Sequence, residues 1–246
     1  LLGKVVFEHE GTVMHCDSAY LYVDNSMDAF SKVYIVKGDS IKMWCDELNY
    51  NGNTEFAKAK RNVKLIDSEM TLTSQKLDYN MATEQAWYNT GGKIVDSENT
   101  LTSRVGYYYS VLEEMFFKDS VKLVNEQYTL YCDTLRYNAK TEVAFFLGPT
   151  TIISDENTIL CNYGWYDTEL DIAQFSDKAT VYTSDQSILG DSLYYNKKHG
   201  YGLALGNVVV SDTAQDIILT GEKAKYYEVG NMVLLTDSAM MIQDMG

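Results

Sequence analysis

The stretch Tyr128-Thr-Leu-Tyr-Cys-Asp-Thr-Leu-Arg-Tyr137 decides the fold, because variants of it recur along the whole chain. We take its small residue Cys132 as the anchor of one copy. The other anchors follow at steps of 29 residues, with a last step of 31, and are Cys16, Cys45, Ser74, Ser103, Cys161, Gly190 and Gly221. A fixed period of this size indicates a repeat architecture.

Each copy places apolar residues on both sides of its anchor. In the copy around Cys132, Leu130 lies two residues before the anchor, while Leu135 and Tyr137 lie three and five residues after it. Strand side chains alternate between faces, so in a straight strand these two sets would face opposite ways. A corner or bulge just after the anchor would return both sets to one interior. A small anchor fits such a bend in a crowded place.

The second half of each copy again shows apolar alternation, as in Ala144 and Phe146, and a polar turn containing Asn separates the two halves. About seventeen strands result. Residues 1–10 match a second half and residues 11–246 form eight copies, so we expect one repeat domain over 1–246. Gly106 and Gly164 stand where other copies have a larger residue. They indicate either a bulge or room for a bound molecule.

Composition restricts the class of protein. Hydrophobic residues make up 46% of 246 residues, and the 20 Tyr and 8 Phe favour strands. The 20 Lys and Arg against 35 Asp and Glu give a net charge of −15. This balance argues against nucleic-acid binding and against nonspecific adhesion to anionic membranes. No apolar run approaches the roughly 18 residues that span a bilayer.

All four cysteines are anchors, namely Cys16, Cys45, Cys132 and Cys161. Their spacing does not fit a zinc site, whose ligands usually pair two to four residues apart. We interpret them as small buried residues that are interchangeable with Ser and Gly. Disulfides between neighbouring copies require that the anchors lie on adjacent strands.

The segments Leu203–Val209 and Leu130–Tyr137 resemble the OstA-like family, which includes periplasmic proteins of lipopolysaccharide transport. The resemblance implies an all-β fold: an elongated, twisted, antiparallel β-jellyroll, folded like a taco, built here from about eight 29-residue two-strand repeats. It further implies an apolar groove for the acyl chains of lipid A. Members of the family stack end to end with other jellyroll components through their edge strands, and homo-oligomers are one form of this stacking.

From the pattern and the resemblance together we expect a noncatalytic periplasmic carrier or bridge, with a signal peptide or anchor outside the sequence given. Its partner is lipopolysaccharide, and we expect no cofactor, metal site or nucleic-acid partner. The groove candidates are Leu72, Leu77, Tyr79, Phe117, Leu130, Leu135, Tyr137, Phe146, Ile159, Tyr166, Phe175, Ile188 and Leu193.

Two other functions stay open at this point. One is a structural β-scaffold with a fully packed interior that binds proteins through its edges. The other is a carbohydrate-active β-helix with clustered Asp residues, because period alone does not separate a parallel solenoid from an antiparallel jellyroll. The three histidines, His9, His15 and His199, form no periodic acid–base set.

Polar residues at the corners offer two further interpretations. The residue after each anchor is often acidic, so a stack of carboxylates that binds Ca²⁺ competes with ordinary solvated corner residues. Gln75 and Arg104 interrupt this series and favour the second interpretation. The seven Asp-Ser or Asp-Thr pairs that precede an apolar or small residue resemble O-glycosylation acceptors, although turn chemistry explains most of them. They begin at Asp17, Asp39, Asp119, Asp133, Asp191, Asp212 and Asp237.

Overall fold

The computed structural model describes residues 1–9, 11–38, 41–67, 70–230 and 232–243, with only the backbone of His9. The chain divides into two compact units, Leu1–Glu126 and Gln127–Gly246. The single domain expected over 1–246 stays a prediction. Within each unit, strands that are neighbours in sequence pair antiparallel. The parallel solenoid that the period left open is therefore wrong, and the expected antiparallel all-β fold is confirmed.

The described residues of unit 1 form eleven strands. Their bounds are β1 Leu2–His9, β2 Thr12–Leu21, β3 Ser26–Lys37, β4 Ile41–Asn51, β5 Phe56–Asp67, β6 Met70–Asn80, β7 Gln85–Tyr88, β8 Gly92–Val95, β9 Thr100–Ser103, β10 Val105–Tyr109 and β11 Glu114–Val124. A 3₁₀ turn, Ser110–Leu112, joins β10 to β11.

In the described part of unit 2 the chain forms nine strands. Their bounds are β12 Tyr128–Asn138, β13 Val143–Ser154, β14 Thr158–Asp167, β15 Ile172–Tyr182, β16 Gln186–Asn196, β17 Tyr201–Asp212, β18 Ile217–Tyr227, β19 Met232–Thr236 and β20 Met240–Gln243. A second 3₁₀ turn, Lys197–His199, joins β16 to β17.

The described residues form twenty strands, where the sequence predicted about seventeen. The difference arises at three corners, where one predicted strand is interrupted and continues as two. These pairs are β7 with β8, β9 with β10, and β19 with β20. In the first case, β6 pairs with both pieces, β7 through Asp78–Asn80 and β8 through Thr71–Ser74.

Each hairpin shifts its register at the corner, as the alternation in the sequence predicted. Between β12 and β13 the shift lies between Cys132 and Thr134, so one residue of β12 faces two of β13. The additional residue therefore belongs to the neighbouring strand and not to the anchor strand itself. Gly148 on β13 has φ +84° there, and Arg61 and Asn62 on β5 have φ +60° and +51° at the matching corner. These left-handed residues provide the bend.

The polar turns depend on asparagine side chains, as expected. Asn138 Oδ1 accepts a hydrogen bond from the Thr141 backbone N–H at 2.8 Å, and Asn196 Oδ1 accepts one from the His199 N–H at 3.0 Å. Such bonds satisfy backbone groups that leave the ladder and fix the turn.

Both halves of each long strand contribute to one core. In unit 1, Leu72 and Leu77 lie on opposite sides of the corner of β6 and belong to the same cluster of buried residues. We call the half of the sheet on the Leu72 side of the corner the first arm, and the half on the Leu77 side the second arm. The corner therefore converts two faces of a straight strand into two arms around one interior.

Among the described residues, no helix is both long enough and apolar enough to cross a membrane.

Candidate functional site

Three rows of inward side chains cross unit 2, and strand pairing aligns the members of each row. The aliphatic row, on the first arm, is Leu130, Ile152, Ile159, Val181, Ile188, Val210, Leu219 and Met241. The phenylalanine row, on the second arm next to the corner, is Leu135, Phe146, Gly164, Phe175, Leu193, Ala204, Ala224 and Leu235. The tyrosine row, farther along the second arm, is Tyr137, Ala144, Tyr166, Ala173, Tyr195, Gly202, Tyr226 and Val233.

The interior is closed near the corner. Phe146 and Leu193 of the phenylalanine row are 4% and 6% exposed, and the anchor Cys132 is 6% exposed. The second arm folds back on the anchors, because a Cβ added to Gly190 would lie 3.3 Å from Leu193 Cδ2. Side chains at the corner therefore pack against one another as an ordinary core does.

The interior opens away from the corner. In the aliphatic row Ile159 and Ile188 are only half-buried, and in the tyrosine row Tyr166 and Tyr195 are also half-buried. Apolar side chains on the inward faces of both arms thus keep accessible surface. A concave apolar surface of this kind is typical of a binding groove.

The thirteen groove candidates fall into two classes by exposure. Eight are buried at the corner or against the opposite arm, namely Leu72, Leu77, Phe117, Leu130, Leu135, Phe146, Phe175 and Leu193. The half-buried five are Tyr79, Tyr137, Ile159, Tyr166 and Ile188. The structure also adds Ile152 and Val181 to the aliphatic row, which the sequence analysis did not include. They lie on the second-half strands, and only the register aligns them with Ile159.

In unit 1 the ring of Tyr88 fills the space that Gly106 leaves. A Cβ added to Gly106 or to Gly92 would lie 2.4 Å from Tyr88 Cζ, so both glycines are needed for this ring. Tyr88 is 3% exposed, and its hydroxyl pairs with Ser103 Oγ at 2.7 Å. Gly106 therefore accommodates a protein side chain and leaves no room there for a bound molecule.

Gly164 has the same role in unit 2. A Cβ at this position would lie 3.1 Å from Phe175 Cδ1 and 3.2 Å from Phe146 Cδ2. The two phenylalanine rings on the neighbouring strands thus close over the glycine. Neither glycine supports the alternative that the sequence left open, namely space reserved for a ligand.

The tyrosine row adds neutral polar groups to the accessible part of the inward faces. Tyr195 donates a hydrogen bond to Glu228 at 3.3 Å, and Tyr166 donates one to Asp171. Burial, followed by the charge of Glu228, raises the pKa of Tyr195 to about 12. Burial and then Asp171 also raise the pKa of Tyr166. These phenols therefore stay protonated and present an apolar ring with a polar tip.

The four cysteines are free and buried, as the packing interpretation predicted. Thr150 of β13 lies between Cys132 and Cys161 in the same row, so these two thiols are not on adjacent strands. β3 separates Cys16 from Cys45 in the same way. The condition for disulfides between neighbouring copies is therefore not met.

The polar residues after the anchors bond locally across the corner. Asp46 accepts a hydrogen bond from Asn62 at 2.7 Å, and Asp191 accepts one from Asn207 at 2.8 Å. Lys32 pairs with Asp17 at 3.4 Å. Within the described part of the chain, no group of three or more His, Cys, Asp or Glu is placed to hold a metal ion.

The Asp-Ser and Asp-Thr pairs differ in accessibility. Thr134 is buried at 9% exposure, whereas Ser120, Thr213 and Ser238 are exposed. Asp39 and Ser40 lie outside the described residues. Modification at the exposed pairs stays a prediction.

Comparison with solved structures gives low similarity. The crystal structure of LptH, described as the LptA homologous periplasmic component of the lipopolysaccharide transport device from Pseudomonas aeruginosa, is 12% identical. It covers 58% of this chain and 93% of its own, with a TM-score of 0.28. Apo AztD from Citrobacter koseri is 8% identical, covers 97% of each chain and has a TM-score of 0.16.

No curated protein sequence matches the chain. The family of OstA-like proteins matches residues 1–133 and 127–191, which together form most of the sequence. The repeat, the antiparallel corners and this match agree, and the chain belongs to the OstA-like protein family.

Proposed function

We propose that this protein is a noncatalytic periplasmic carrier or bridge that shelters the acyl chains of lipopolysaccharide during transport to the outer membrane. The observation that carries the proposal is the pair of half-buried apolar rows on facing arms, beyond a closed corner. An acyl chain that lies along Ile159 and Ile188 would remove apolar surface from water on both partners. Membership of the OstA-like family supports the same assignment.

A carrier must also release its lipid. Rows that are half-buried in the free protein gain only part of the free energy of burial when lipid binds, so their affinity is moderate. The phenols of Tyr166 and Tyr195 stay uncharged, and they meet the boundary between acyl chains and polar headgroup without the cost of burying a charge.

The proposed bridging partners are further jellyroll components or a second copy of this chain. Among the described residues, β1 of unit 1 pairs only with β2, and β20 of unit 2 pairs only with β18. Met240, Met241 and Ile242 on β20 are 50–62% exposed. Unpaired strand edges with exposed apolar residues are suited to strand addition.

Photocrosslinking tests the groove assignment. A benzophenone amino acid is introduced separately at Ile159 and Ile188, and lipopolysaccharide is the ligand. The matched controls are Leu160 and Leu189, because each follows an inward position directly and faces outward on the same strand.

We expect lipid adducts at Ile159 and Ile188 and few adducts at Leu160 and Leu189. Circular dichroism establishes that all four variants are folded. Equal labelling of inward and outward positions, or no labelling of folded protein, would contradict the groove. The scaffold with a packed interior, left open above, would then be the better assignment.

A further inference from the structure

A row of lysines crosses the outer face of the first arm in unit 1, on the side opposite the groove. Lys64, Lys93 and Lys122 follow one another at the 29-residue period. Strand pairing aligns them with aromatic residues and threonines in one row, which we call the outer lysine row. Its members are His15, Tyr34, Trp44, Lys64, Thr73, Lys93, Thr102 and Lys122.

The lysines of this row are evenly spaced. One threonine strand lies between Lys64 and Lys93, and another lies between Lys93 and Lys122. Because neighbouring strands are about 4.8 Å apart, successive lysines begin roughly 10 Å apart along the row. All three side chains are exposed.

This face is basic although the chain is strongly acidic. The outer lysine row contains no Asp or Glu, although the net charge of the chain is −15. From β2 to β11 the adjacent outward row is also free of Asp and Glu and adds Lys42. Neither Lys64 nor Lys93 forms an ion pair with any described residue. Their charge is therefore available to an anion.

The corner beside these lysines also departs from the acidic pattern. The residues after the anchors are Gln75 and Arg104 in these two copies, where most other copies have an acid or Asn. At the corner of β4 and β5, Asp46 accepts a hydrogen bond from Asn62 and Glu47 pairs with Arg61, so these two acids are already engaged. Gln75 lies on β6, between the strands of Lys64 and Lys93, and Arg104 follows β9, between the strands of Lys93 and Lys122.

Lys64 and Lys93 lie on the two sides of a shallow groove of about 400 Å³. Thr73 of β6 lies in its lining, and Asn62 and Gln75 line its end at the corner, while the hydroxyl of the lining residue Ser74 is buried and already bonds to the Gly91 carbonyl oxygen. The lysines are the charged members of the lining, and the others with polar side chains are hydroxyls and amides. Such groups form hydrogen bonds with sugar hydroxyls, while the ammonium groups pair with acidic substituents.

The same row continues into a stack of aromatic rings. Tyr34 stacks on Trp44 with centroids 5.0 Å apart, and Lys64 Nζ lies 5.7 Å from the Trp44 ring on the next strand. Both rings are half-buried, and their accessible part offers apolar contact to the C–H groups of a sugar. Lysines and threonines therefore alternate along the row, and the aromatic rings follow at one end of it.

From these observations we propose that the outer lysine row of unit 1 binds a linear anionic saccharide, a sugar chain that carries carboxylate or phosphate groups. The regular spacing of the charges fits a linear chain with repeating acidic units. The hydroxyl and amide side chains beside the lysines fit the hydroxyl groups of such a chain. This site is separate from the acyl groove, and its test does not depend on lipid binding.

The experiment uses polygalacturonate oligomers as the probe and neutral dextran of similar length as the comparison. Trp44 reports binding through its fluorescence in a Trp87→Phe/Trp165→Phe background, because these are the three tryptophans of the chain. The test variant is Lys64→Gln/Lys93→Gln. The control is Lys58→Gln/Lys140→Gln, which removes the same charge from two exposed lysines outside the row.

We expect polygalacturonate to bind at low salt and more weakly as salt rises, with no binding of dextran. The test variant should bind about tenfold more weakly, while the control keeps most of its affinity. Equal loss in both variants would mean that net charge alone is responsible, and absence of polygalacturonate binding would also overturn the proposal. Lysine-dependent binding to phosphatidylglycerol vesicles in preference to polygalacturonate would assign the face to a membrane instead.

Discussion

The ring of Tyr88 lies directly against Gly106 on the neighbouring strand, where a Cβ would come within 2.4 Å of Cε1 and Cζ. The same ring covers Gly92, and its hydroxyl is held by Ser103. The space that Gly106 leaves is therefore filled by the Tyr88 ring of the neighbouring strand.

Gly106→Ala should destabilise the protein by about 1–3 kcal/mol, because the new methyl group displaces a packed ring. In a Tyr88→Ala background the same change should cost much less, with a coupling of at least about 1 kcal/mol between the two sites. Urea unfolding of the two single variants and the double variant measures this coupling. Additive effects would show that the ring is free to move.

The left-handed backbone at the corners predicts that two substitutions at Gly148 differ in their cost to stability. Gly148 has φ +84°, and at the aligned position of sister corners Asp119 and Asp177 have φ +62° and +63°; Asn and Asp are the side chains that best tolerate this region. Gly148→Asn should therefore cost about 1 kcal/mol less than Gly148→Val, since β-branched residues are disfavoured in this region. Thermal unfolding of the two variants compares them at the same site, and an equal loss would argue against a left-handed requirement.

The thiols predict a pH dependence of stability. Burial raises the pKa of Cys45 and Cys132 to about 12 and that of Cys161 to about 11, from 9.0. Above pH 9 the unfolded chain loses these protons while the folded protein keeps them, so ionisation favours unfolding. The contribution of the buried thiols to the free energy of unfolding is complete below pH 9 and is lost as the pH rises towards 12.

Folded protein at pH 8 should therefore not react with a thiol reagent, whereas the unfolded chain should react with four equivalents of it. The variant Cys45→Ser/Cys132→Ser/Cys161→Ser should lose less stability between pH 9 and 11 than the parent. Serine is the natural anchor at Ser74 and Ser103, which makes it the matched replacement. Parallel stability curves for the two proteins would count against buried thiols as a source of the loss.

The two classes of groove residues should respond differently to a new charge. Phe146→Asp places a carboxylate at a 4% exposed corner position and should cost at least about 4 kcal/mol, enough to unfold many domains. Ile188→Asp lies in a half-buried row and should keep the fold while weakening lipid crosslinking. Circular dichroism and crosslinking at Ile159 together separate loss of fold from loss of binding. Unchanged crosslinking in a folded Ile188→Asp variant would show that Ile188 does not line the groove.

Edge pairing predicts association that depends on concentration. Light scattering after size exclusion should show species larger than a monomer at high protein concentration, through the edges formed by β1 and β20. Met240→Lys/Ile242→Lys should shift this equilibrium towards monomer, since charged edges oppose strand addition. Ile218→Lys, on the face of the neighbouring strand, is the control for added charge. A monomer at every concentration would contradict self-association.

Much of the fold follows from the period. Side chains at Cys132, Leu135 and Tyr137 repeat with one spacing, and this alone locates the corner that the structure contains. The asparagine turns follow from local chemistry, because Asn138 bonds to a backbone N–H three residues away. Antiparallel pairing did not follow from the period, and it came from the family resemblance.

Other features depend on which strand lies beside which. The extra residue of each corner lies on the partner strand. The sequence of a single copy shows only that the alternation changes after the anchor, and so it places the bulge on the anchor strand. The difference between buried Phe146 and half-buried Ile159 depends on how far the two arms diverge. The sequence shows Lys64 and Lys93 at the 29-residue period, but only the strand register shows that both lie beside Thr73 in one row.

The single irregular step, from Gly190 to Gly221, shows how such a chain tolerates insertions. Asp212 lies opposite Ile217 as Asp67 lies opposite Met70 in a regular copy, so the two additional residues lengthen the turn at the hairpin end while Val210 stays opposite Leu219. Length can therefore change at hairpin ends in pairs of residues without moving any row. A single residue inserted between a corner and its anchor would turn every following side chain to the wrong face. We therefore expect natural length variation among relatives to concentrate at the hairpin ends and to spare the corners.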